Sequence, residues 1–244
     1  MVTPYGNADI IFEDEYIIAV SKPHGLHTID DRSHSETATM KSLLSKRCGK
    51  IFVVHRLDAG TGGVTIFAKT PRAHSVLCDC FENGRAAKEY YAITEGVFGG
   101  AVSVFLPIGN KPSHGKYKIN FKSGKAAATT FYDTKEIGIA SLVKAIPLTG
   151  RTHQIRVHLK AIKHPLYHDW LYNATFGKTQ RREENRTEEV KKQPSADKRL
   201  SLFAKKLILP HPISGKPVTL EAELSDFMKE TIRYARNGGV NPSK

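Results

Sequence analysis

Cysteine is scarce in this chain, with three residues, Cys48, Cys78 and Cys80, among 244. An odd count makes a poor disulfide framework, which excludes the cross-linked scaffold of a small secreted domain and points to a reducing compartment. Cys78 and Cys80 stand one residue apart in a stretch read as helix, where they face different directions. They read as ordinary helix residues, and zinc is not indicated.

Long hydrophobic runs are missing too. None approaches the roughly 20 apolar residues that cross a bilayer. The opening Met1-Val2-Thr3-Pro4-Tyr5 carries neither the basic start nor the apolar stretch of a secretory signal, so a soluble, cytoplasmic protein is expected. No internal repeat and no Pro- or Ser-rich linker interrupts the chain, and a single domain over residues 1–244 is the expectation. A chain of this length can bury a full core.

Acidic charge is the third deficit. Asp and Glu total 24 against 37 Lys and Arg, a net charge of +13. Such an excess favours a polyanionic partner. No basic amphipathic segment marks a membrane binder, so nucleic acid is the expected partner and a membrane is not.

What is present reads as short alternating elements. Ile10 to Glu13 and Tyr16 to Ser21 are two strands around an acidic turn, followed by the loop Lys22-Pro23-His24-Gly25-Leu26. A short helix is predicted from Thr39 to Arg47, then strands from Ile51 to Val54 and from Val64 to Ala68. Thr70 can cap the next helix, Pro71 suits its first position and Gly84 its end. Lys88 to Glu95, Ala126 to Tyr132 and Ser141 to Leu148 are rich in strand formers.

Thr152 is expected to cap a helix reaching Ile162, with Arg156, Lys160 and Lys163 on a basic stripe. Residues 177–199, crowded with both signs of charge, read as a mobile insertion or a solvated helix. Leu202 to Leu209 and Val218 to Glu223 are the last strands, and Ser225 can cap a closing helix. Strands and helices interspersed without a steady βαβ rhythm argue for an α+β fold with a mixed, mainly antiparallel sheet and flanking helices.

Two segments are dense in chemistry. The first is His55-Arg56-Leu57-Asp58-Ala59-Gly60-Thr61-Gly62-Gly63, running into an apolar strand that ends at Ala68-Lys69. The second is Thr149-Gly150-Arg151-Thr152-His153-Gln154-Ile155-Arg156-Val157-His158-Leu159. An aspartate in a glycine-rich turn commonly bonds its own backbone, so Asp58 alone has a plain structural reading. Its setting adds another. Leu57 and the following strand would hold the carboxylate at the edge of a core, where a neighbouring guanidinium keeps it ionised. The glycines at 60, 62 and 63 are expected to admit a bulky substrate close to the backbone.

The ordered set of segments resembles the RluA-type pseudouridine synthases. His55 to Lys69 is similar to that family's His-Arg-Leu-Asp motif and the strand after it. Lys22 to Leu26 resembles its Lys-Pro-x-Gly-Leu element, Lys88-Glu89-Tyr90-Tyr91-Ala92 its Lys-x-Tyr-x-Ala strand, and Thr149 to Leu159 its Thr-Gly-Arg-x-His-Gln-Ile-Arg-Val-His segment. Leu207 to Pro212 resembles its carboxy-terminal element.

The resemblance implies isomerisation of uridine to pseudouridine within ribosomal or transfer RNA, or both, without metal or cofactor. It implies a monomer with RNA crossing a basic cleft between two halves of the sheet. By the same resemblance Asp58 is the catalytic aspartate, Arg156 pairs with it, and Tyr90 lies against the uracil ring. Arg56 would fill the gap that the flipped nucleotide leaves in the RNA stack. His55, Thr61, Gly62, Arg151, His153 and Gln154 are expected to contact substrate.

One element departs from the family. Its usual Gly-Asp-x-x-Tyr-Gly reads His168-Asp169-Trp170-Leu171-Tyr172-Asn173 here, with both glycines replaced, which bears on the loop conformation. No small amino-terminal RNA-binding domain is expected ahead of the first motif, and RNA recognition is expected to fall to the catalytic domain. Two rivals remain. A metal-dependent nuclease could draw on His153, His158, His164, His168 and Asp169, but Pro165 disfavours a helix carrying both His164 and His168, and no HExxH is present. A non-catalytic RNA-binding relative would share charge and fold; the intact Asp58, Tyr90 and Arg156 argue against it.

Overall fold

The computed structural model describes residues 1–3, 6–30, 38–175 and 199–238. Its elements run β1 (Val2–Thr3), β2 (Gly6–Asn7), β3 (Asp9–Glu13), β4 (Ile17–Lys22), α1 (Met40–Cys48), β5 (Phe52–Val53), β6 (Gly62–Ala68), α2 (Pro71–Glu82), β7 (Ala87–Glu95) and β8 (Val102–Phe105). Then come β9 (Ala128–Ile137), β10 (Ala140–Pro147), α3 (Gln154–Ala161), β11 (Leu202–Pro210), β12 (Pro217–Glu221) and α4 (Asp226–Arg236). The interspersed elements and antiparallel pairings make this an α+β fold, as the sequence pattern predicts. The charged stretch over 177–199 lies outside the described residues, Arg199 excepted.

The chain forms two compact units, Met1–Lys88 with Ala204–Ser225, and Glu89–Phe203 with Asp226–Lys244. It passes from one to the other within β7 and β11.

In the first unit the strand order is β3-β4-β6-β11, with β5 beside β6 and β12 beside β11. All seven residues of β6 are buried, which is why both sides of its apolar–polar alternation could be filled by apolar or small residues. Ile18, Val20 and Phe67 pack with Met40 and Leu44 of α1. That helix opens on a capping box, with Thr39 Oγ1 accepting from Ser42 N and Ser42 Oγ from Thr39 N. Helix α2 starts as its punctuation predicts: Thr70 Oγ1 accepts from Ala73 N at 3.2 Å and Pro71 is the first residue.

In the second unit β7, β10, β9 and β8 lie in that order, Tyr90 opposite Ala145 and Tyr91 opposite Lys144. One face of these strands, through Ala92, Val143 and Ala145, packs on Ile155 and Leu159 of α3. Helix α3 begins later than expected and without a side-chain cap. His153 takes the cap position in a left-handed conformation (φ 56°), and Thr152 does not serve. The reason is Gln154, whose Oε1 accepts from Arg151 N and Thr149 Oγ1 and so closes the preceding turn itself.

Candidate active site

Asp58 belongs to the first unit, in the turn between β5 and β6, which closes through Thr61 N donating to Asp58 O at 3.0 Å. The loop after β4 clasps that turn. Gly25 N donates to Ala59 O (2.8 Å), and His24 Nδ1 lies 2.8 Å from Gly60 O. A carbonyl can only accept, so Nδ1 carries the proton, and Nε2 accepts from the Ser225 hydroxyl at 3.0 Å. Thr28 Oγ1 both donates to Leu57 O and accepts from Leu57 N. Main-chain groups of Leu57, Ala59 and Gly60 are therefore all held, and Asp58 lies among them.

Lys22 completes the clasp. Its side chain is buried, and Nζ donates to Leu26 O (2.7 Å), Pro23 O (3.1 Å) and Ala59 O (3.2 Å). Burial pulls its pKa down to about 7, and the neighbouring Asp58 carboxylate acts in the opposite direction.

Gly62 and Gly63 give their room to the protein itself. A Cβ on Gly62 would stand 2.6 Å from the His24 ring, and one on Gly63, where φ is +107°, would overlap the Ala204 carbonyl oxygen. The space is filled by the protein, because β6 lies between β4 and β11 in this unit. Thr61 is likewise buried, whereas Arg56 is exposed.

His55 has internal work to do: its ring stacks on Phe81 at 4.6 Å and Nε2 accepts from Ile66 N at 3.1 Å. Burial, helped by the Lys88 charge, lowers its pKa to about 3, so it is neutral.

The second unit holds the other motif residues. Arg156, placed on a basic surface stripe by helical spacing alone, is instead buried. Its Nε and Nη2 donate to the two oxygens of Asp169, each at 2.8 Å, and its guanidinium lies 4.9 Å from the centre of the Tyr172 ring. Two-point pairing of this kind fixes the plane of the guanidinium as well as its position. Asp169, fully buried, also accepts from Leu171 N and Tyr172 N, both at 3.0 Å.

The Tyr172 hydroxyl accepts from Tyr117 N at 2.8 Å and meets His153 Nδ1 at 3.0 Å. The loop keeps this form without its two glycines. Neither His168 nor Asn173 has a positive φ, and the Asn173 amide reaches Leu166 O and Tyr167 O.

Tyr90 packs against the core that receives Ile155 and Leu159, the α3 side of the strands. Tyr91 points to the other side, with Lys144 Nζ 5.8 Å from its ring centre. Gln154 is buried, and all four of its amide bonds go to the protein, with Nε2 reaching Ala128 O and Thr129 Oγ1. It braces the turn and presents nothing outward. Arg151 is exposed, with Nε donating to Ala126 O at 3.0 Å.

Asp58 thus stands in one unit with Arg56, and Tyr90 and Arg156 stand in the other with Arg151 and His153. Comparison with known proteins decides what such a set belongs to. Residues 16–161 match the family described as RNA pseudouridylate synthase. Over 213 residues the chain is 37% identical to the dual-specificity RNA pseudouridine synthase RluA of Vibrio parahaemolyticus, covering 84% of this chain and 79% of the relative. The chain belongs to the RNA pseudouridylate synthase family.

This synthase is also 30% identical to tRNA pseudouridine synthase C of Pasteurella multocida, over 87% of its own length and 89% of the relative's. Its fold matches the solved structure of human RNA pseudouridylate synthase domain containing 4, with a TM-score of 0.69 at 23% identity and 93% and 92% of the two chains covered. Family membership makes it an isomerase acting on uridines in RNA.

Sequence reading missed two supports in the synthase. Lys22 was only part of a loop element, and Asp169 only a retained position. Arg156 and Asp169 are 13 residues apart, and no helical or strand period links that spacing. The residues of the rival metal set are spent elsewhere in the second unit. His158 meets Thr129 Oγ1 (2.9 Å) and Leu106 O (3.0 Å), and Asp169 takes Arg156. Among the described residues no three His, Cys, Asp or Glu side chains gather as a metal site.

Proposed function

We propose that this synthase converts uridines of ribosomal RNA, transfer RNA or both to pseudouridine, with Asp58 as the essential residue. The N1–C1′ bond of the target breaks, the uracil turns, and a C5–C1′ bond forms; N1 gains a proton and C5 loses one, so the reaction balances without a redox partner. Asp58 acts at the sugar beside the departing base, and Arg156 and Tyr90 serve the same reaction. Arg56 occupies the place of the flipped nucleotide, recovering part of an unstacking cost of roughly a few kcal/mol.

The observation that carries this reading is the care with which Arg156 is fixed: a buried guanidinium held at two points by Asp169 and laid over Tyr172. A surface phosphate contact needs no such support. The target classes follow the names of the relatives, one called dual-specificity and one a tRNA enzyme. The net charge of +13 suits a phosphate-rich partner. No described helix is long and apolar enough to cross a membrane. A monomer working in the cytoplasm completes the proposal.

The test is tritium release from RNA labelled at uracil C5, comparing wild type with Asp58→Asn on pooled transfer RNA and protein-free ribosomal RNA. Release by wild type alone is expected, and the responding pool names the target. Equal release by Asp58→Asn would remove Asp58 from its role, and RNA binding without release by wild type would favour a non-catalytic relative.

A further inference from the structure

We propose, on the basis of the RNA substrate of the proposed function, that Phe121 is a specificity-determining residue. Its ring stacks on an unpaired base of that RNA other than the reacting uridine, and the lysines around it hold the flanking phosphates.

The segment between β8 and β9 has no acid of its own. No Asp or Glu occurs from Gly96 to Tyr132, and Lys111, Lys118, Lys122 and Lys125 are exposed within that stretch. Like charges crowded on one segment repel each other and suit a run of phosphates. The segment is nonetheless firmly built. Ile108 and Lys125 exchange two main-chain bonds (3.0 and 2.8 Å), Gly109 N donates to Lys118 O (2.9 Å), and Asn120 N to Pro107 O (2.9 Å). Ile108, Tyr117 and Ile119 pack with Val157 of α3 and with Leu171 and Tyr172. Tyr117 N also donates to the Tyr172 hydroxyl, so the segment is seated on the loop that supports Arg156.

Phe121 turns away from that packing, in a turn closed by Asn120. Asn120 Oδ1 accepts from Lys122 N (2.9 Å) and Ser123 N (3.0 Å), and Asn120 O accepts from Gly124 N (2.9 Å). A single exposed apolar side chain needs no explanation by itself. Phe121 differs because it is 77% exposed, the most of any large apolar side chain described, on a turn whose shape is already fixed. Little backbone freedom is lost when such a ring meets a partner. Lys122 follows it directly, with Lys118 and Lys125 close in sequence. A protein partner would have to neutralise these ammonium groups, whereas RNA neutralises them as it binds. An aromatic face accepts any base while neighbouring cations take the phosphates, as in proteins that hold unpaired nucleic acid. A paired stem hides its base faces, so this contact selects RNAs with an unpaired nucleotide at that place.

The experiment compares the full chain as wild type, Phe121→Ala, Phe121→Tyr and Lys122→Gln. Single-turnover tritium release is followed against enzyme concentration on pooled transfer RNA and protein-free ribosomal RNA. Filter binding over a salt series, with the same pools and a fully paired RNA duplex, and a thermal melt of each protein complete it. Phe121→Ala should raise the half-saturating concentration at least about fivefold on the responding pool. Its maximal rate should stay within about twofold, since the stacked base is not the reacting one. Its melt, its salt slope and its binding to the duplex should match wild type, because no phosphate contact is lost. Phe121→Tyr should restore half-saturation. Lys122→Gln should weaken binding to every RNA and lower the slope of log affinity against log salt by about 1.

An unchanged half-saturation in Phe121→Ala would overturn the assignment, as would a weakening that Phe121→Tyr does not rescue or that the duplex shares. A lowered melt or a shallower salt slope in Phe121→Ala would also overturn it, making the ring a support for the turn. Loss of self-association in place of RNA affinity, read by sedimentation, would give the ring to a second copy of the chain. Failure of the wild type to release tritium would overturn the proposed function alone, because filter binding still decides the role of Phe121.

Discussion

The turn that carries Asp58 and the loop that supports Arg156 are held in opposite ways. In the first unit the grip is on main-chain atoms, with Leu57, Ala59 and Gly60 all bonded by the 22–28 loop. In the second unit the grip is side chain on side chain, with Asp169 taking two guanidinium nitrogens above the Tyr172 ring. A main-chain grip depends on backbone path, and so on which residues lack a Cβ. A side-chain grip depends on the charge and shape of one carboxylate. The first arrangement should break through folding, the second through chemistry.

The sharpest test of that contrast is Gly63→Ala. Its methyl would overlap the Ala204 carbonyl oxygen at a backbone angle that L residues rarely adopt. A loss above roughly 3 kcal/mol is expected, seen as little soluble protein and a collapsed thermal melt. A variant that melts like wild type would show that the first unit tolerates backbone change.

Asp169→Asn should do the reverse. The amide oxygen can still accept from Leu171 N and Tyr172 N, so the loop survives, but the charge facing Arg156 is gone. Turnover should fall by about a hundredfold with RNA affinity nearly unchanged, as for a group acting mainly in the transition state. An unaltered turnover number would mean that the orientation of Arg156 is immaterial.

Acid should separate the units next. Burial lowers the pKa of His55 to about 3 and that of His168 to about 4, with Lys88 and Arg199 adding repulsion. The unfolded chain protonates these rings near 6.5 while the folded chain resists, so their stability contribution is complete above that pH and is lost as pH falls. Each ring costs up to about 1.4 kcal/mol per pH unit in that window. Urea melts from pH 7 to about 3 should show a flatter pH dependence in His55→Gln and His168→Gln. The flattening should continue to lower pH for His55, and parallel curves for both variants and wild type would refute it.

The smallest effect belongs to Thr28→Val, which removes one hydroxyl serving both Leu57 groups. About 1–2 kcal/mol should be lost, read from denaturant melts, with a modest drop in rate. A larger fall in turnover than in stability would show that the turn is tuned for position as well as held.

Much of this was legible in the amino-acid pattern. Thr70-Pro71 announced a helix because a cap and a fixed φ are local properties. The apolar run after Gly63 announced a buried strand for the same reason. The motif residues could be named in advance by resemblance, but their surroundings could not. Helical spacing put Arg156 on a basic stripe, since position on a helix wheel says nothing about a carboxylate 13 residues later. Open glycines suggested room for substrate, and His24 and Ala204 had already taken it. Gln154 read as a substrate contact because its four bonds within the protein are invisible in one dimension.

By itself, then, the sequence determined the element types, the α+β class, a charge excess that favours an anionic partner and the family to which the motifs belong. Each follows from local propensity, composition or ordered pattern. Only the tertiary structure decided which motif residues act outward and which brace from within. It turned Gln154 and His55 inward, made Asp169 the support of Arg156, and set a buried Lys22 beside Asp58. The physical reason is that burial and charge pairing depend on contacts between distant parts of the chain, whose energies no local pattern records.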